Sequence, residues 1–210
     1  MKYIQVDHVS KSFKDLLLFD GVDITFESGH IYGLVGPNGT GKTVFLKLLC
    51  GLTKPNHGSI IIDGQVLNKD IDFPPNTGVI IDKPAFFNEL SGFDNLMLLR
   101  NIQKKIDTKT VEHYLQLFGL TKNHQPVSKY SLGMKQRLGL AQAFMESPDL
   151  VILDEYTNGL DRSGKTMVKS FIQSYINDER IIILTSHYDV DLNDVCDVMY
   201  EIDDQRIKPL

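Results

Sequence analysis

Residues 31–50 constrain this chain more than any other stretch. Ile31-Tyr32-Gly33-Leu34-Val35 is an apolar run of the kind that forms a buried strand. It leads directly into Gly36-Pro37-Asn38-Gly39-Thr40-Gly41-Lys42-Thr43, and Thr43 to Cys50 then has helical character. Strand, glycine loop and helix in that order suit the wrapping of an anion in main-chain N–H groups. Gly36, Gly39 and Gly41 remove the Cβ atoms that would block the approach. The helix adds the positive end of its dipole and its unpaired N–H groups. Lys42 supplies a cation for terminal phosphates, and the Thr43 hydroxyl is an oxygen donor for Mg²⁺. A glycine turn carrying a surface lysine is the bland alternative. The flanking strand and helix favour a phosphate loop, with a nucleoside triphosphate as its ligand.

At 210 residues and 42% hydrophobic, the chain can build one good core with room for an inserted subdomain. Lys+Arg 22 against Asp+Glu 27 gives a net charge of −5, so no global basic field recruits nucleic acid or anionic lipid. Cys50 and Cys196 match no metal or disulfide spacing and lie in apolar stretches, which reads as small buried thiols in a reducing cytosol. Met1 to Asp7 alternates polar and apolar residues with no signal-peptide core. No apolar run approaches the roughly 18–20 residues that cross a bilayer. The expectation is a cytoplasmic chain that reaches a membrane only through a partner.

Tyr3 to Val9 and Val22 to Phe26 alternate like half-buried antiparallel strands, and Gly58 to Gly64 is a strand bounded by glycines. Leu150 to Leu153 and Ile181 to Leu184, like Ile31 to Val35, are continuously apolar, as strands covered on both faces are. From about Lys83 to Ser147 the pattern turns helical, over Leu96 to Ile102, Thr108 to Phe118 and Leu132 to Glu146. Val198 to Ile202 and Arg206 to Lys208 read as a hairpin around Asp203-Asp204-Gln205. The fold class expected is α/β: a nucleotide-binding core with N-terminal antiparallel strands, interrupted by a helical subdomain.

Leu150-Val151-Ile152-Leu153 ends in Asp154-Glu155. Ligands of open parallel sheets sit beyond the carboxyl ends of the strands, so both acids should face the phosphates. Asp154 can hold Mg²⁺ through water while Glu155 polarises an attacking water. Standing alone, the segment reads equally well as a strand ending in solvated acids. Ser131 is a natural N-cap for the helix from Leu132, and Gly133 leaves room for close approach to a ligand. This is a second helix N-terminus suited to an anion, although an ordinary capped helix has the same residues.

With these segments in order, the chain resembles the ATPase subunit of an ABC transporter, over essentially its whole length. Gly36–Thr43 is similar to the Walker A loop, with Pro37, Asn38, Gly39, Thr40, Gly41, Lys42, Thr43 and Val44 as implied nucleotide contacts. Leu150–Glu155 is similar to Walker B. Tyr130-Ser131-Leu132-Gly133-Met134-Lys135-Gln136-Arg137 resembles the family signature, Asn158-Gly159-Leu160-Asp161 the D-loop, and His187 the switch histidine. Phe13 corresponds to the aromatic residue that stacks on adenine, although a core aromatic has the same pattern. The resemblance implies a P-loop NTPase (RecA-like) core over residues 1–82 and 148–210, a helical signature subdomain over 83–147, and Mg-ATP as cofactor. It also implies a homodimer closing two ATP molecules between Lys42 of one copy and Ser131, Gly133 and Asp161 of the other, with Glu155, His187 and Lys42 as catalytic groups. The further partner implied is an integral membrane permease subunit, which places the chain peripherally at the cytoplasmic face.

Several residues depart from the family pattern. Leu132 and Met134 replace a glycine and a glutamine of the signature, and Tyr156 stands where proline usually follows the Walker B glutamate. Gly78-Val79-Ile80-Ile81-Asp82 ends in aspartate where the Q-loop glutamine is usual, so Asp82 is a candidate for nucleotide and metal contact that lacks the amide's donor. An acidic residue there, with the Ser131–Arg137 sequence, resembles the exporters of bacitracin and lantibiotic resistance, and Asp82 is expected to tune coupling to the membrane partner. Phe86, Phe87 and Phe93 could line the groove that receives that partner or belong to the core. A soluble ABC ATPase without a membrane partner, such as an iron–sulfur assembly ATPase, is the alternative function; a nucleotide-sensing module without turnover is a third.

Overall fold

The computed structural model describes residues 1–14, 16–121, 124–186 and 189–210. Its centre is a six-stranded sheet in the order β10-β9-β3-β8-β7-β6. Here β3 is His30–Val35, β6 Thr77–Ile80, β7 Leu150–Leu153, β8 Ile181–Thr185, β9 Val198–Asp203 and β10 Arg206–Pro209. Strands β9, β3, β8, β7 and β6 run parallel, and β10 returns antiparallel at the edge. The β9–β10 turn is tighter than expected. Asp203 stays in the strand, and Asp204 and Gln205 turn the chain alone, both with positive φ, as a two-residue hairpin of matching twist requires.

The continuous apolar runs have a direct cause. Alternate residues of the central strands face opposite ways, and here both faces are buried. Tyr32, Leu34, Leu150, Ile152, Ile181 and Ile183 enter one core; Ile31, Val35, Val151, Leu153, Ile182 and Leu184 enter the other. The first core is closed by helix α1 (Lys42–Leu49) and a second sheet in the order β2-β1-β4-β5. That sheet is antiparallel: β1 is Tyr3–Phe13, β2 Leu16–Glu27, β4 His57–Ile62 and β5 Gln65–Val66. Strands β1 and β2 extend well beyond the expected Tyr3–Val9 and Val22–Phe26, because register shifts between Val6 and Ser12 carry the pairing to Phe13 and Leu16.

The second core lies under helices α2 (Gly92–Gln103), α3 (Thr108–Leu117) and α4 (Leu132–Phe144) of the middle segment and α5 (Arg162–Tyr175). α2 begins before Leu96 because Ser91 caps it, its hydroxyl accepting from the Asp94 N–H at 3.1 Å. Asp107 and Asp161 cap α3 and α5 in the same way. α5 goes beyond the sequence expectations, although Val168, Ile172 and Tyr175 bury one face at helical spacing. Phe118, Phe144, Phe171 and Tyr175 interlock edge to face where α3, α4 and α5 meet. A short helix, α6 (Asp189–Asn193), precedes β9. Cys50 is buried as expected, whereas Cys196 is only partly so; burial pushes both thiols up to about 12.

Candidate functional site

The sheet order places the loops after β3, β8, β7 and β6 side by side. In register, Leu34 pairs with Thr185, Leu184 with Leu153, and Leu153 with Ile80. Val35, Thr185, Asp154 and the residues up to Asp82 therefore stand in one row beyond the carboxyl ends of the strands. A cavity of about 700 Å³ opens on this row, lined among others by Gly39, Lys42, Thr43, Asp82, Asp154 and Glu155.

Gly36, Gly39 and Gly41 have positive φ, and Gly41 is the left-handed N-cap of α1. A Cβ at Gly36 would stand 2.6 Å from the Ile202 carbonyl oxygen, and one at Gly41 2.9 Å from the Phe19 ring. Packing within the protein therefore demands glycine there, in addition to the approach of an anion. Pro37, Asn38 and Gly39 are exposed, while Thr40 and Val44 are half-buried. Lys42 is buried and folds back into the loop, donating from Nζ to the carbonyls of Gly36 at 2.5 Å and Pro37 at 3.1 Å.

Asp154 is buried and fully engaged. Its Oδ2 accepts from Thr43 Oγ1 at 2.6 Å and from the Asp82 N–H at 3.3 Å; its Oδ1 accepts from Thr185 Oγ1 at 2.7 Å. Thr185 Oγ1 in turn accepts from the Glu155 N–H at 2.9 Å. Adjacent strand residues should point opposite ways, and the structure shows how both acids reach one cavity: Glu155 adopts a φ of +50°, which swings its side chain away from the strand direction. Thr43 and Asp154 are hard oxygen donors already in contact, a set that fits Mg²⁺. The Asp82 carboxylate, expected beside the metal, is paired instead with Lys47 Nζ at 2.6 Å.

Phe13 is 47% exposed and is not part of the cavity lining. It pairs with Leu16 across the β1–β2 hairpin, and Leu16 with Leu18 forms the apolar rim of the cavity. Lys11 Nζ covers one face of the Phe13 ring, 4.5 Å from its centroid. Leu16 and Leu18 were not expected at the site. Leu16-Leu17-Leu18-Phe19 is continuously apolar, with no alternation to mark which residues face the site.

Ser131 caps α4 as expected, accepting from the Met134 N–H at 3.2 Å, and is exposed. A Cβ at Gly133 would lie 2.7 Å from the Gly159 carbonyl oxygen, so packing within the protomer demands glycine there as well. The signature turn thus rests on the turn Asn158–Asp161 of the same protomer, and Arg137 donates to Asp161 Oδ1 at 3.2 Å. These groups border a second cavity of about 380 Å³. His187 lies outside the described residues. Phe86 and Phe93 pack against the core, whereas Phe87 is 63% exposed, beside Leu98, over a cavity of about 350 Å³. Among the described residues, no helix is long and apolar enough to cross a membrane.

Comparison with known proteins places these features together. A family model described as ABC transporter matches residues 19–158. The uncharacterized ABC transporter ATP-binding protein YybJ of Bacillus subtilis is 40% identical, over 98% of this chain and 94% of its own length. The bacitracin transport ATP-binding protein BcrA of Enterococcus faecalis is 34% identical over 95% of this chain, which spans 66% of that relative. A dimeric ATP-binding cassette in a post-hydrolysis state, bound to ADP and Pi, superimposes with a TM-score of 0.86, covering 98% of this chain and 96% of its own. At 17% identity, that likeness speaks for the fold.

Proposed function

The chain belongs to the ABC transporter family as an ATP-binding, ATP-hydrolysing subunit, and from that premise we propose that two copies, closed head to tail on Mg-ATP, drive export through a separate membrane subunit. The observation that carries this reading is the 2.6 Å hydrogen bond from Thr43 to Asp154, which joins the phosphate loop to the acids ending β7. Residues 1–82 and 148–210 form the core in this proposal, and 83–147 the helical subdomain.

Lys42 exchanges its loop carbonyls for the terminal phosphates, and the N–H groups from Asn38 to Val44 hold their oxygens. Thr43 and Asp154 are the residues to hold magnesium, which when bound neutralises phosphate charge. Asp82 stays outside that set, with its N–H on Asp154 and its carboxylate on Lys47. Glu155 orients water for in-line attack and receives its proton as the bond to the leaving ADP oxygen breaks. His187 assists at the same phosphate. Ser131 and Gly133, at the exposed start of their helix, and Asp161 close the site of the second copy, while Phe13, with Leu16 and Leu18, supports the base. Positioning and charge stabilisation lower the barrier.

The exposed Phe87 and Leu98 support docking of a membrane subunit, which would place the chain at the cytoplasmic face. The likeness to BcrA supports a peptide antibiotic or drug as cargo. Glu155→Gln tests the reading: ATP binding should persist, turnover should fall about 100-fold or more, and the dimer should accumulate with ATP on size exclusion. Undiminished turnover would remove Glu155 from its role.

A further inference from the structure

The main chain at Glu155 is in the left-handed region, with φ at +50°. For a residue with a Cβ this conformation is costly and needs support from its surroundings. Thr185 holds the N–H side at 2.9 Å. On the carbonyl side the Asn158 N–H donates to the Glu155 carbonyl at 2.9 Å within the turn itself, and a further donor comes from another part of the chain. Gln136 Nε2 donates to the Tyr156 carbonyl at 3.1 Å and reaches the Glu155 carbonyl at 3.4 Å. Gln136 is only 4% exposed and its bond to the Tyr156 carbonyl is buried, so an apolar replacement would leave that carbonyl without this donor.

The position of this amide matters. Gln136 lies in the second turn of α4, whose first turn carries Ser131 and Gly133. The same helix packs against β6, the strand that leads to Asp82. We propose that Gln136 is a positioning residue for Glu155, locking the left-handed turn that aims the carboxylate and tying it to the helix end that meets the second copy's nucleotide. Nucleotide at Ser131 then steadies the glutamate of the same protomer through one buried amide. The inference rests on the assignment of Glu155 above.

Gln136→Met keeps the length and apolar fit of the side chain but removes the donor. In the homodimer with Mg-ATP, kcat is expected to fall at least about tenfold, while KM and the affinity for a non-hydrolysable ATP analogue change less than about twofold. In a Glu155→Gln background the same substitution should lower the residual turnover no further, since its effect passes through the carboxylate. Should Gln136→Met not fold, Gln136→Leu, which is also apolar and lacks a donor, is read in the same way. Wild-type kcat in the substituted protein overturns the proposal, as does an equal further loss in the Glu155→Gln background, which marks a general structural role. If Glu155→Gln itself keeps full turnover, the catalytic assignment fails; if it is inactive while Gln136→Met is fully active, only the role of Gln136 fails.

Discussion

Lys47 Nζ and Asp82 Oδ2 lie 2.6 Å apart, joining the helix after the phosphate loop to the turn after β6. Asp82 occupies this turn with a φ of +62° and donates its N–H to Asp154. An acid next to bound phosphates would repel them, and Lys47 offsets that charge from the same helix that Lys42 begins. With the Asp82 side chain 62% exposed and Lys47 35%, solvent screens the pair, and it is expected to couple by under about 1 kcal/mol in a double-mutant cycle on urea unfolding. Asp82→Gln should therefore leave ATP affinity within about twofold and change turnover stimulated by the membrane subunit. A severalfold shift in affinity with unchanged stimulated turnover would refute the assignment of Asp82 to coupling.

Lys42→Ala should weaken ATP binding by about 10- to 100-fold, the worth of a charge-assisted hydrogen bond. The loss should appear in equilibrium titration with nucleotide, before any turnover. A side chain that bonds two loop carbonyls in this structure also stiffens the loop, so the variant should show faster amide exchange across residues 36–41.

Gly133→Ala should lower stability by about 1–3 kcal/mol, because its Cβ would meet main-chain oxygen of Gly159 and not a movable side chain. Denaturant unfolding measures this in the isolated subunit. A variant as stable as the parent would show that the signature turn does not rest on the Asn158–Asp161 turn.

Asp191 contributes to the acid limb of stability, alongside Asp107 and Asp161, whose carboxyls hydrogen bonds also hold low. Burial works to raise its carboxyl, but hydrogen bonds from Lys165 and Thr157 and the charges of Lys165 and Lys169 outweigh burial and hold it below its ordinary 3.8. The stabilisation is present above pH 3.8 and is lost as pH falls through the lower folded-state value. Asp191→Asn should therefore destabilise the protein at neutral pH and flatten the loss of stability below about pH 4. Thermal unfolding across pH 2.5–7 would be the measurement, and an unchanged acid limb would rule the network out as its source.

Tyr156 illustrates how far the sequence could be read. Its departure from the family's proline is plain in the sequence, but the reason is not. The phenol is fully buried and donates to the Asp191 carbonyl, so Tyr156 binds the turn after Glu155 to α6. Leu16 and Leu18, the Lys47–Asp82 pair and the Gln136 amide were hidden for the same reason: each depends on which distant segments the sheet order makes neighbours. Ser131, by contrast, acts on N–H groups three residues away, and its capping role was legible from local spacing alone.

Local chemistry in the chain was enough to determine the phosphate loop, the doubly buried strands and the acids at the end of β7, because glycine tolerance, alternation and capping act over a few residues. Tertiary structure alone decided that Asp82 answers to Lys47, that Gly133 makes room for Gly159, and that Glu155 is turned and held by Thr185 and Gln136. Those contacts cross between elements far apart in the chain, and their geometry exists only once β3, β8, β7 and β6 stand in order with α4 packed across them.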